Sequence, residues 1–291
     1  DYILGKKEKE RGIERPYGVA MHDGRIYTSN TMLKQVQVID LKNKTISILT
    51  KDKRLTNPMS LFIEPDGLIY VADPTKGKIY VFNQDHRMIR ILGDGKSFTP
   101  IDLVVKGDKC YITDAMYSQV LVIDKVTGKE LLRMGKSGGS DEEGSFKLVG
   151  GIAVDSQGNV YASDKAKIKL LKFNSKGVFQ RSFGKLGRSI HDFVRPKGLA
   201  IDKEDRIWVV DAGTEVIKIY NSKGQLLMLF GYPGNSPGNL NLPVSIKLDY
   251  DNVKWFKDEA VEGAEIEHLV LVTNQYGTRM INVYGFGEFP E

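Results

Sequence analysis

The side chains able to do chemistry are few, and their spacing limits which chemistry is open. An acid or amide recurs as Asn30, Asp73, Asp114, Asp164, Asp211 and Asn274, each closing an apolar run such as LIYVAD or RIWVVD. A ring of carboxylates would suit a hard cation. Recurrence in every unit argues instead for a structural duty. Each acid would accept backbone N–H groups of its own turn and pair with the residue five ahead. The histidines are His22, His86, His191 and His268. Their positions send His22 and His86 to one face and His191 to the other, whereas a zinc site needs three or four convergent ligands. The single Cys110 lies in the run KCYITD, excludes an internal disulfide and reads as a buried thiol. No Ser-His-Asp or Cys-His pairing follows from position. No catalytic residue, metal site or cofactor is expected.

The elements that must carry these residues are short strands. Residues 195–231 hold four of them, KGLAID, RIWVVD, EVIKIYN and QLLMLFG, punctuated by Gly, Asn, Asp and Ser. One meander of this size cannot bury both faces and needs neighbours of its own kind. The chain supplies them: Pro16, Pro58, Pro100, Val149, Pro196 and Pro243 recur at spacings of 42 to 49 residues. The spacing predicts an all-β, six-bladed β-propeller with four-stranded antiparallel blades, forming one domain over residues 1–291. The blades fall near 16–49, 58–93, 100–135, 149–184, 196–231 and 243–286. The last lacks a fourth strand, and the orphan run YILG at residues 2–5 is expected to fill it, joining the chain ends and removing free edges. In a second alignment, residues 253–258 are strand two of blade six and residues 280–286 are strand four.

The residues then carry a resemblance. PKGLAID…RIWVVD…VIKIYN…GQLLMLFG and GGIAVDSQGNVYASD look like NHL repeats, and the chain resembles bacterial six-bladed NHL propellers over essentially its whole length. The resemblance speaks to fold and little to function, because that family contains binding modules, RNA binders and a few enzymes. Its usual arginine before strand three is kept only at Arg279; Gln35, Lys78, Gln119, Lys169 and Val216 stand in the same slot. The histidine set of the NHL-like amidating lyase is missing. So is the Glu with which six-bladed lactonases open their calcium set, since RPYGVA stands there.

Charge is more informative than motif. The net charge is +5 from 42 basic and 37 acidic residues. The loops from strand four to the next strand one, and from strand two to three, share one face, here called the top, and gather lysines, arginines, Met and Tyr. Tyr117, Lys165, Lys167, Arg188, Tyr276 and Arg279 are the candidate binding residues there. Residues 251–267 interrupt the repeat on the opposite face with Trp255 and Phe256 beside Asp258, Glu259, Glu262, Glu265 and Glu267. They are expected to form a short helical flap, aromatics inward and acids outward, that serves as a local plug or as a second docking surface. The expected function is a non-catalytic scaffold for a protein partner or acidic ligand. The alternatives are a single-stranded RNA binder and a metal-dependent lactonase or lyase-like hydrolase. No run is long enough for a membrane span. Export, with a setting in an envelope assembly, is expected from the bacterial resemblance and a first residue, Asp1, that is not Met.

Overall fold

The computed structural model describes residues 12–136 and 141–288. Six antiparallel sheets form a β-propeller with almost no helix. Each blade is a meander in which β-branched and aromatic residues alternate against the neighbouring blade. Five blades are four-stranded, and the sixth shows three strands among the described residues, Pro243–Asp249, Glu265–Asn274 and Ile281–Glu288. The closing strand expected at residues 2–5 lies outside the described residues.

Blade six follows the first alignment, with two shifts. Its second strand starts at Glu265 and takes three residues from the expected insertion. Residues that the second alignment made a strand form a 3-10 helix, Val253–Glu259. Trp255 and Phe256 turn inward onto a cluster of Val19, Met21, Ile26, Ile39, Leu269 and Leu271. Asp258, Glu259, Glu262, Glu265 and Glu267 stay exposed. Gly24, at φ +70°, makes room for the indole: a Cβ there would come within 2.4 Å of the Trp255 ring.

The core lies between blades. Ala200, Trp208 and Val210 of blade five face Ile246, Val270 and Val272 of blade six. Blades one and six share the Val19–Leu269 cluster just described, so apolar packing joins the first described blade to the last. Two polar links add to that seam: Thr273 Oγ1 donates to the Tyr17 carbonyl at 2.7 Å, and Gly24 N–H donates to Asn252 Oδ1 at 2.9 Å.

The recurring acids do structural work, as expected from their recurrence. Asp73 accepts from Thr56 N and Asn57 N at 2.7 and 2.9 Å. Asp164 accepts from Lys147 N, Leu148 N, Ala166 N and Lys167 N. Asp211 accepts from Val194 N and Arg195 N. Each carboxylate thus ties the loop entering its blade to the strand two–three turn of that blade. The side-chain partner is not five residues ahead. In blades one and five the seventh position points back, Gln37 meeting Asn30 and Lys218 meeting Asp211 at 3.1 Å, whereas Asp114 pairs with Arg133 of strand four at 2.9 Å. Lys218 is 2% exposed and also donates to the Asp192 carbonyl.

Two expectations follow. Asp114→Ala should cost about 1–3 kcal/mol through orphaned amides of Thr99 and Met116 and the lost pairing with the partly exposed Arg133. Asp211→Ala should cost about 3–5 kcal/mol, because it also strands a buried ammonium. Urea unfolding with unchanged m-values checks both. The second expectation concerns His268, buried against Trp208, Tyr250 and Phe286. Burial holds its imidazole below the ordinary value, against the pull of Glu267 and Asp202 and with help from Arg206. Glu267 Oε1 is 3.5 Å from Nδ1, too long for a strong bond. The unfolded chain therefore takes up its proton first. Stability should fall as pH drops below about 6.5, with a slope approaching about 1.4 kcal/mol per pH unit. His86 is also held low, so the test is the difference in slope between the native chain and His268→Phe, which should be flatter.

Candidate active site

A cavity of about 380 Å³ opens at the top mouth of the central channel. That is within the range of small-molecule sites. Its ionisable lining is Tyr17, Asp102, Lys165, Arg195 and Lys197, with Leu148 and Met59 as apolar wall. The inner strand of each blade runs past this mouth, and a register irregularity recurs there: between Pro16 and Val19, Val149 and Ile152, Pro196 and Leu199, and Pro243 and Ile246. Such bulges re-aim side chains without ending the sheet. Lys197 sits in one of them.

The recurring acids set the other two cations. Arg195 N–H is held by Asp211 Oδ1 at 2.7 Å, which fixes the loop carrying the guanidinium. Lys165 follows Asp164 and donates its N–H to the Leu148 carbonyl at 2.9 Å. Gly150 clears the path of its stem: a Cβ there would lie 3.1 Å from Lys165 Cγ and 2.3 Å from Ser163 Oγ. Asp102 is not free to act as a base. Its oxygens accept from Ser60 Oγ at 2.5 Å, Leu103 N at 2.9 Å and Ile152 N at 3.1 Å, bridging three blades.

This electrostatic setting shifts the cavity's groups. Burial first, then the Arg195 and Lys165 charges, push the Lys197 ammonium down to about 8. Burial also lowers Lys165, against Asp102 and Asp164. Burial, reinforced by Asp102, raises the Tyr17 phenol, which stays protonated. The cavity therefore offers one amine that is partly neutral near pH 7–8, fixed cations beside it, and a phenol that can donate. A perturbed base in a concave site is the signature of an acid–base centre.

Of the residues expected on the top face, the structure brings Lys165 to this cavity. Lys167 Nζ donates to Glu142 O, Ser145 O and Ser145 Oγ, bracing its own loop. Tyr117 lies under the Arg133 guanidinium at 5.1 Å, and Tyr276 under that of Arg15 at 5.5 Å. Arg188 is exposed on the loop before blade five. Arg279 donates to the Asn235 carbonyl and lines a separate groove of about 420 Å³ with Phe256, Ile281 and Val283. Apart from Thr278 and Arg279 the side chains lining that groove are apolar, and it offers no acid–base pair. Sequence reasoning missed Tyr17, Asp102, Arg195 and Lys197. The signal was present in the two residues after each repeat-opening Pro or Val. Met59, Ile101, Gly150 and Val244, and then Gly18, Ser60, Gly151, Gly198 and Ser245, are uncharged. Asp102 and Lys197 break that pattern.

No family model matches the chain, and no curated protein matches it. The fold defines the class: a six-bladed β-propeller. Solved structures similar to it include a streptogramin B lyase, with a TM-score of 0.63 and 11% identity over 97% of this chain and 86% of that one. They also include a gluconolactonase from Xanthomonas campestris, with a TM-score of 0.64 and 14% identity over 90% and 83%. A nidogen/laminin complex matches with a TM-score of 0.60 and 14% identity over 76% and 81%. At these identities the likeness is one of fold. The scaffold expectation is nonetheless corrected. Two of these neighbours are enzymes, which fit the lactonase or lyase alternative better than a non-catalytic module, and the channel mouth carries shifted acid–base groups.

The metal-dependent form of that alternative does not fit this mouth. Three cationic side chains line it, its one carboxylate is already engaged, and among the described residues no group of three or more His, Cys, Asp or Glu side chains comes together. The Lys197 ammonium should titrate near 8 by NMR of the isotope-labelled or reductively methylated lysine. Arg195→Gln should move it upward by removing a like charge; an unchanged midpoint would mean that the guanidinium does not face it.

Proposed function

We propose that the protein is a lyase-type enzyme that cleaves the carbon–oxygen bond of an ester or lactone by proton abstraction at the channel mouth. The observation that carries this reading is the lowered Lys197 amine in a cavity shared with Arg195, Lys165 and Tyr17. Lys197 Nζ takes a proton from the carbon next to a carbonyl. The C–H electron pair becomes a C=C bond as the neighbouring C–O bond breaks, and the departing oxygen leaves with the bonding pair. Arg195 and Lys165 stabilise negative charge as it develops on the carbonyl oxygen. Tyr17 is the group able to donate a proton or hydrogen bond to the departing oxygen. The similar fold of the streptogramin B lyase supports the reading. The NHL-type character of the repeats is part of the same proposal, supported by units such as GGIAVDSQGNVYASD.

Screening ester and lactone panels tests it. Activity should rise with pH through about 8 as Lys197 loses its proton, and Lys197→Met should lower kcat/KM by about 10²–10⁴-fold. The product should carry a new double bond and no added water. A product one water heavier would make Lys197 the base of a hydrolase. Full activity in Lys197→Met would end the assignment.

A further inference from the structure

The cavity holds more positive charge than a neutral ester can use. Lys165, Arg195 and Lys197 converge on it, and Asp102 is the single carboxylate in its lining. That carboxylate is bound across three blades by Ser60, Leu103 and Ile152, so it is committed to holding the inner strands together. Lys247 stands on the inner strand of blade six, close enough to Asp102 to feel its charge and with its ammonium 5.2 Å from the Phe62 ring. One acid is thus shared among several cations in a confined channel. If Lys197 is neutral as the base, Arg195 and Lys165 still face the cavity with Asp102 as the one opposing charge. Clefts lined by one sign of charge concentrate ligands of the other. The polypeptide fixes this excess: Asp211 anchors the Arg195 loop, and the bare Gly150 gives Lys165 its lane. Leu148, 46% exposed, and Met59 supply an apolar wall beside the cations.

We propose that the substrate is itself an acid: a small carboxylate-bearing ester or ether whose carboxylate is gripped by Arg195 and Lys165 while Lys197 faces the adjacent carbon. This deepens the lyase reading and rests on it, since the gripped carboxylate becomes the group onto which charge moves when the proton leaves. The balance is the one already given. The amine gains the proton, a C=C bond forms next to the carboxylate, the C–O bond on the following carbon breaks, and the oxygen departs with its electron pair. The guanidinium offers a planar fork of donors suited to a carboxylate, and the ammonium adds a point charge.

The test is a binding measurement that needs no turnover. Calorimetric titration with succinate, dimethyl succinate and inorganic phosphate at low salt and pH 7 should show succinate binding at least tenfold tighter than its neutral diester. Arg195→Gln and Lys165→Met should each weaken succinate at least tenfold with melting temperature held. Equal binding of acid and diester, or unchanged binding in both Arg195→Gln and Lys165→Met, overturns the proposal. Phosphate binding tenfold tighter than succinate overturns the carboxylate in favour of a phosphoester. The two readings fail separately. Selective succinate binding without turnover of any acid ester leaves the acid grip standing and removes the lyase. Turnover of neutral esters without succinate binding does the reverse.

Discussion

The acid or amide at the end of each second strand, a carboxylate in four of the six blades, is the interaction on which the rest depends. A propeller blade is a sheet whose ends would splay if the loop entering it were not tied to the turn leaving its middle. Asp73 and Asp164 make that tie with backbone N–H groups on both sides, and Asp211 makes it with N–H groups of the entering loop and the Thr214 hydroxyl. The bonds are charge-assisted and buried, so they are stronger than ordinary turn contacts. Their position has a second effect. The loops they hold are the ones that rim the channel mouth, so the group that stabilises a blade also aims its functional residue. Arg195 and Lys165 owe their places to Asp211 and Asp164.

The channel mouth converts that geometry into chemistry. Lysine side chains brought in from blades four and five lose water, and with it part of their preference for the charged state. Lys197 sits where burial and two like charges act together, which is why its amine is driven to about 8. The charge of Asp102 acts on Lys165 and Lys247 instead. Tyr17 is pushed the opposite way by the same burial. One desolvated site thus separates a base from an acid.

Most of the fold was legible in the sequence, because the repeat is long, periodic and closed by turn residues that have few alternatives. The packed flap at Trp255 and Phe256 was legible for a similar reason: two adjacent large aromatics in an insertion need something to cover. The partners of Asn30 and Asp211 were misplaced because a five-residue offset was taken from the repeat pattern, whereas the strand pleat brings Gln37 and Lys218 back at seven. The site was largely hidden. Surface counting favours exposed lysines such as Arg188's neighbours on the rim, and nothing in a run of letters marks which cation has lost its water. Lys197 and Asp102 stood out only as departures from an otherwise uncharged pair of positions.

The bulge that recurs beside Pro16, Val149, Pro196 and Pro243 makes those positions interchangeable in kind. These four inner strands each present one irregular step to the same small volume, and the hydrogen-bonded ladder resumes directly after it. The first residue of that step, Tyr17, Gly150, Lys197 or Val244, lines the cavity, while the next is held small, because a Cβ at Gly18, Gly151 or Gly198 would come within 2.9 Å of neighbouring backbone. The mouth behaves as a socket board, with a slot from each blade filled independently around a common axis. Moving the lysine from blade five to the corresponding step of blade one, Tyr17, would turn the base by a fixed angle about that axis.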